Sequence, residues 1–234
     1  MLNQDRKIYP SWHPGSVAKP SPGIVAPYKG MTILAGESFG TGIKEAVRKR
    51  LGSGSTVAAD SGSDISKTIE GGLPVPAART DGFIHPLRSS ESLVVADGLL
   101  IRYLREWLPK KRIIGLGEAL LSIDSIRRAL GPDDLYVIEC RSYHSDYARL
   151  VRFYDRIRKE TGIQINLDLQ RAAIPTGASS LQGRADMEEA GCVEQAKWIL
   201  HGRRVKRIIV EDVADIAVFK KATDLPVLHV AFVE

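Results

Sequence analysis

The sequence has 234 residues, 44% of them hydrophobic and 26% charged, ordinary values for a globular protein of one large domain or one domain with a small appendage. The formal net charge is +5, but the lysines and arginines are scattered. Without an aromatic-interleaved basic stripe, a nucleic-acid partner is not expected. No apolar run reaches the roughly 18–20 residues that span a bilayer, and the start MLNQDRKIYPSWHPG lacks the apolar core of a secretion signal. A cytoplasmic location is therefore expected, and with it no disulfide between Cys140 and Cys192. No C-x-x-C or H-x-x-x-H spacing occurs, so no metal site is expected.

Residues 1–30 hold five of the twelve prolines and read as an irregular, extended arm, with Tyr9 and Trp12 as anchors. From residue 31 to 234 short apolar runs alternate with helical stretches. The expected order is strand 31–36, helix 41–51, strand 55–60, helix 63–72 and an aperiodic excursion 73–91. Strand 92–98, helix 99–108, strand 111–117, helix 119–130 and strand 134–140 follow. The chain continues with an amphipathic helix 145–162, strand 163–169, helix 185–202, strand 205–212, helix 215–223 and strand 225–233. Strands separated by helices of this length pair in parallel through right-handed crossovers. Runs such as IIGL, YVIE and RIIVE suit a sheet buried on both faces. The expected fold is thus α/β: a Rossmann-like, doubly wound, mainly parallel sheet with a proline-rich N-terminal arm. The β-α-β rhythm recurs, but no tandem repeat is visible.

Ligands of such sheets bind past the carboxyl ends of the strands. After the first strand comes Gly36-Glu37-Ser38-Phe39-Gly40-Thr41-Gly42, a glycine-rich turn before a helix, with Asp60 ending the next strand. A second turn, Gly115-Leu116-Gly117, precedes a helix, and Glu139 ends the following strand 22 residues later. That is the spacing between a dinucleotide-type glycine turn and a ribose-binding acid, although Leu120 stands where a third glycine belongs. Arg141-Ser142-Tyr143-His144-Ser145-Asp146 packs donors and acceptors at a strand-to-helix turn. Ser145 or Asp146 there reads as a helix cap and His144 as a candidate acid or base. The loop 174–180 is either a ligand clamp or a connection. Of the adjacent acids Glu211 and Asp212, one suits a site and the other a helix cap. The excursion with Asp81, His85 and Arg88 suits a substrate loop. No P-loop, G-x-S-x-G or H-E-x-x-H motif is present.

The segments TILAGESFGTGIKEAV, RTDGFIHPLRSSE, VVADGLL and VIECRSYHSDY together resemble the archaeal pyridinol C-methyltransferases of iron-guanylylpyridinol cofactor biosynthesis, over residues 31–234. That resemblance implies S-adenosyl-L-methionine as methyl donor, a small aromatic pyridinol acceptor and a homodimer. Gly115, Gly117, Glu139, Arg141 and Ser142 would then hold the cofactor. Thr176 and Glu211 would orient or deprotonate the ring hydroxyl, with His144 as alternative base. Gly36, Glu37, Ser38, Asp81, His85 and Arg88 would face the substrate. An NAD(P)-dependent oxidoreductase using the same turn, or a ligand-binding protein without catalysis, remains open from the residues alone.

Overall fold

The computed structural model describes residues 31–36, 40–52, 56–60, 91–96, 98, 101, 104–105, 108–178 and 186–234. The expected arm 1–30, helix 63–72 and most of the excursion 73–91 lie outside them. The first half contains strand β1 (Met31–Gly36), helix α1 (Gly40–Leu51) and strands β2 (Thr56–Asp60), β3 (Ser92–Val95) and β4 (Arg112–Gly115). Helices α2 (Leu116–Leu121) and α3 (Asp124–Arg128) lead to the second half. That half contains β5 (Asp134–Val137), α4 (Cys140–Ser145), α5 (Tyr147–Thr161), β6 (Gln164–Ile165), α6 (Asp186–Leu200), β7 (Arg207–Val210), α7 (Val213–Ala222) and β8 (Val227–His229). A 3-10 turn, Val230–Phe232, follows.

The parallel α/β class is present, but the strands do not form one Rossmann-like sheet. Among the described residues they form two four-stranded parallel sheets, ordered β2-β1-β3-β4 and β6-β5-β7-β8. The two orders are the same, so the topology repeats where the sequence shows no repeat. Strand order reverses between β1 and β3 in one sheet and between β5 and β7 in the other. Those are the places where a doubly wound sheet opens a crevice at its carboxyl edge.

Local chemistry trims the expected elements. The strand expected at 163–169 stops after Ile165 because Asn166 turns its amide to other work. Its Oδ1 accepts from Ile138 N (2.8 Å) and its Nδ2 donates to Ile174 O (2.9 Å). The strand expected at 134–140 stops at Val137 because Glu139 caps α4. The helix expected at 119–130 is two helices, parted at Ser122–Ile123, with Ser122 Oγ donating to Glu118 O (2.8 Å). Helix α5 buries Leu150, Tyr154 and Ile157, one stripe at helical spacing, and ends at Gly162 in a left-handed conformation (φ +79°).

One apolar core joins the halves. Val47, Leu51, Val94, Ile114 and Leu120 of the first half share it with Tyr136, Tyr154, Ile209 and Val230 of the second. Polar ties cross the same seam. Arg50 of α1 donates to Val233 O (2.9 Å) and Ala231 O (3.4 Å). Arg149 of α5 forks onto the buried Glu118 of α2 and also reaches Asp146 (2.6 Å).

Candidate active site

The switch point of the second sheet carries acids. Beyond β5 come Ile138 and Glu139; beyond β7 come Glu211 and Asp212; Asp215 lies in the first turn of α7. Glu139, Glu211 and Asp215 are all buried, at 6%, 3% and 6% exposure, a burial that carboxyls rarely reach without partners. Each has a defined set of donors. Glu139 accepts from Arg141 N (3.1 Å) and Ser142 N (2.5 Å), capping α4. Glu211 accepts from Tyr136 Oη (2.8 Å), Tyr154 Oη (2.6 Å) and the backbone N of Glu139 (2.8 Å). Asp215 accepts from Thr176 Oγ1, which itself accepts from Ala178 N (3.1 Å). Asp212 is half-buried and caps α7 by accepting from Ala214 N (2.9 Å).

Burial sets the protonation of this group. Loss of water raises the Glu139 carboxyl from 4.5 to about 7, its bonds to Ser142 opposing and the charge of Asp212 adding to the rise. Burial raises Glu211 to about 7 against the bonds from Tyr154, Glu139 N and Tyr136. It raises Asp215 from 3.8 to about 7, with Asp212 reinforcing. The Cys140 thiol, beside all four acids, is pushed up by burial and then by their charge, so it is a poor thiolate. His229 is buried: Nδ1 accepts from Ala231 N (3.2 Å), which leaves Nε2–H to donate to Glu211 O (3.1 Å). Burial lowers it to about 4, so it stays neutral and fixes the backbone of Glu211.

The first half meets these acids with bare backbone. A Cβ placed on Gly98 would come within 2.2 Å of both Glu139 Oε2 and Ser142 N. One on Gly117 would lie 1.8 Å from Glu211 Oε1. Glycine is required there because another chain segment of the same molecule occupies the space.

The residues singled out in the sequence do not all come together. Glu139, Glu211, Ser142, Gly115 and Gly117 meet at this seam, Gly115 with its Cα facing the Ser142 side chain, while Thr176 bonds Asp215 within the second half. Arg141 is at the start of α4, donating its N–H to Glu139. His144 is at the far end of α4, exposed, with its ring stacked on Tyr147 (centroids 5.7 Å apart). Gly36 ends β1, while Glu37, Ser38, Asp81, His85 and Arg88 lie outside the described residues. Ser145 and Asp146 make no side-chain cap to α5; Ser145 Oγ donates back to Ser142 O (2.6 Å). Asp215 and Cys140 were not singled out as site residues. Asp215 lies one helical turn beyond the Glu211-Asp212 pair, and that spacing was the available signal.

No family model and no curated protein matches the chain. Solved structures do resemble it. A glutamate racemase from Bacillus anthracis aligns over 89% of this chain and 79% of its own, at 16% identity and a TM-score of 0.45. An aspartate racemase from Picrophilus torridus aligns over 87% and 89%, at 14% identity and a TM-score of 0.43. A glutamate racemase from Francisella tularensis, solved with D-glutamate, aligns over 88% and 78%, at 11% identity and a TM-score of 0.45.

The methyltransferase expectation is corrected by the site itself. Geometry gives the physical reason. The Gly115-Leu116-Gly117 turn, expected to cradle S-adenosyl-L-methionine, is pressed against Glu211. Glu139, expected to take ribose hydroxyls, spends its oxygens on the N-terminus of α4. The spacing of turn and acid is real, but it serves an internal contact. The nicotinamide alternative relied on the same turn and is corrected with it. Among the described residues, no helix is long and apolar enough to cross a membrane, and no group of three His, Cys, Asp or Glu is disposed to hold a metal ion.

Proposed function

We propose that this chain is an enzyme of proton transfer, acting by carboxyl acid–base catalysis on a small molecule bound where the two switch points meet. The observation that carries the proposal is the acidic group Glu139, Glu211, Asp212 and Asp215, three of whose carboxyls are buried and raised to about 7. A carboxyl in that range gives up and regains a proton readily at neutral pH, which is what general catalysis needs. Neighbouring carboxyls in unlike surroundings divide the roles of acid and base. Asp212, half-buried at the start of α7, is the base in this scheme. Asp215, buried and bonded to Thr176, is the acid. Glu211, held by two tyrosines and a backbone N–H, positions Glu139. Cys140 takes no nucleophilic part, given its raised thiol.

The test is proton exchange at carbon. The protein is incubated in deuterium oxide with amino acids, 2-hydroxy acids and 2-keto acids, and the C–H signals are followed by NMR. Washout of one substrate's signal, slowed about a hundredfold or more in Asp212→Asn and Asp215→Asn, is expected. Absence of washout across the panel, or washout that both variants leave unchanged, refutes the assignment.

A further inference from the structure

On the edge of the second sheet away from β8, a groove of about 970 Å³ follows β6. Its walls include Arg158, Asp168, Leu169, Trp198, His201 and Arg203. Leu169 is fully exposed and Trp198 is 59% exposed, two of the four large hydrophobic side chains left in solvent among the described residues. The charge of the groove is unbalanced. Its one carboxylate, Asp168, already accepts through Oδ1 from the N–H groups of Gln170 and Ala172 (2.8 Å each). Arg171 on its floor is paired with Asp155. Arg203 donates Nε to Ile199 O (2.7 Å), and among the described residues neither Arg203 nor Arg158 forms an ion pair.

These features select an occupant. A second copy docked about a two-fold axis would set the same guanidinium groups against each other. The groove is open along its length, whereas a small-molecule site encloses most of its ligand. Tryptophan and arginine are the side chains that most often carry binding energy between proteins. We propose that this groove docks an acidic, extended segment of another protein, with a large apolar side chain against Trp198 and Leu169 and carboxylates on Arg158 and Arg203. An extended segment fits because the groove runs along an edge strand.

The probe is a fluorescein-labelled peptide of about ten residues alternating Glu with Leu and Phe, titrated against the full chain by anisotropy. Binding is expected to weaken with added salt and to fall about tenfold or more in Trp198→Ala and in Arg158→Glu. Both positions are exposed, so both variants should melt with the parent protein. A peptide with Lys in place of Glu should not bind. Failure of the acidic peptide to bind, or binding unmoved by both variants, overturns the proposal. So does tighter binding of an equally charged single-stranded oligonucleotide with the same losses, or a dimer of this chain that Trp198→Ala dissolves.

Discussion

The two half-sheets share a strand order but offer opposite surfaces at their carboxyl edges. The second places Glu139, Glu211, Asp212 and Asp215 there; the first places Gly98, Gly115 and Gly117. One half supplies ionisable groups, and the other supplies backbone thin enough to close over them. Equal topology therefore does not mean equal work: the difference lies in which residues follow each strand. Desolvation, the largest cause of every carboxyl shift in the cluster, depends on that close cover.

The contrast can be broken from the acid side first. Glu211→Ala would leave Tyr136 Oη, Tyr154 Oη and Glu139 N without their acceptor, and a loss of about 4 kcal/mol in denaturant unfolding is expected. From the glycine side, Gly117→Ala drives a methyl into Glu211 and should cost about 3 kcal/mol. A Gly117→Ala protein as stable as the parent would show that the halves do not press together as described.

The pH dependence sharpens the same contrast. Carboxyls raised from 4.5 or 3.8 to about 7 bind protons more tightly in the folded state, so their stabilising effect is complete below pH about 4 and is lost as pH rises through 7. His229, lowered from 6.5 to about 4, acts oppositely: its effect is complete above 6.5 and is lost as pH falls through 4. Three carboxyls against one imidazole give a net fall in stability from pH 5 to pH 8. Glu139→Gln should flatten the fall, as read by chemical denaturation at both pH values. The smallest effect expected is at the polar seam. Arg50→Ala removes two bonds to the carbonyls of Ala231 and Val233 and should lower stability by about 1 kcal/mol, measured by thermal melting.

How much of this was legible depends on the kind of signal. Runs such as RIIG and RIIV declare a buried parallel strand because both faces must be apolar, and both are strands. The same runs say nothing about which strands pair, so the split into two sheets was hidden. Asn166 looks like one polar residue in a strand until its amide is seen joining Ile138 to Ile174. The Gly115–Gly117 turn misled because glycine records only that something comes close. A phosphate and the molecule's own Glu211 leave the same mark in the sequence. Adjacent acids were easier: Asp212 caps α7 while Glu211 turns inward, a division that strand-end acids before a helix tend to make.

The apolar clusters carry a consequence for how the molecule assembles. One buried cluster, built around Leu135, Val137, Ala196, Ile208, Val210 and Phe219, draws every member from the second half. The buried apolar residues of the first half named above share their cluster with Tyr136, Ile209 and Val230 of the second. The second half thus has, among the described residues, a core of its own beside the one it shares across the seam. Amides of β5 and β7, whose side chains enter both clusters, should exchange with solvent slowly, and those of α1, which enters only the shared one, should exchange as soon as the seam opens.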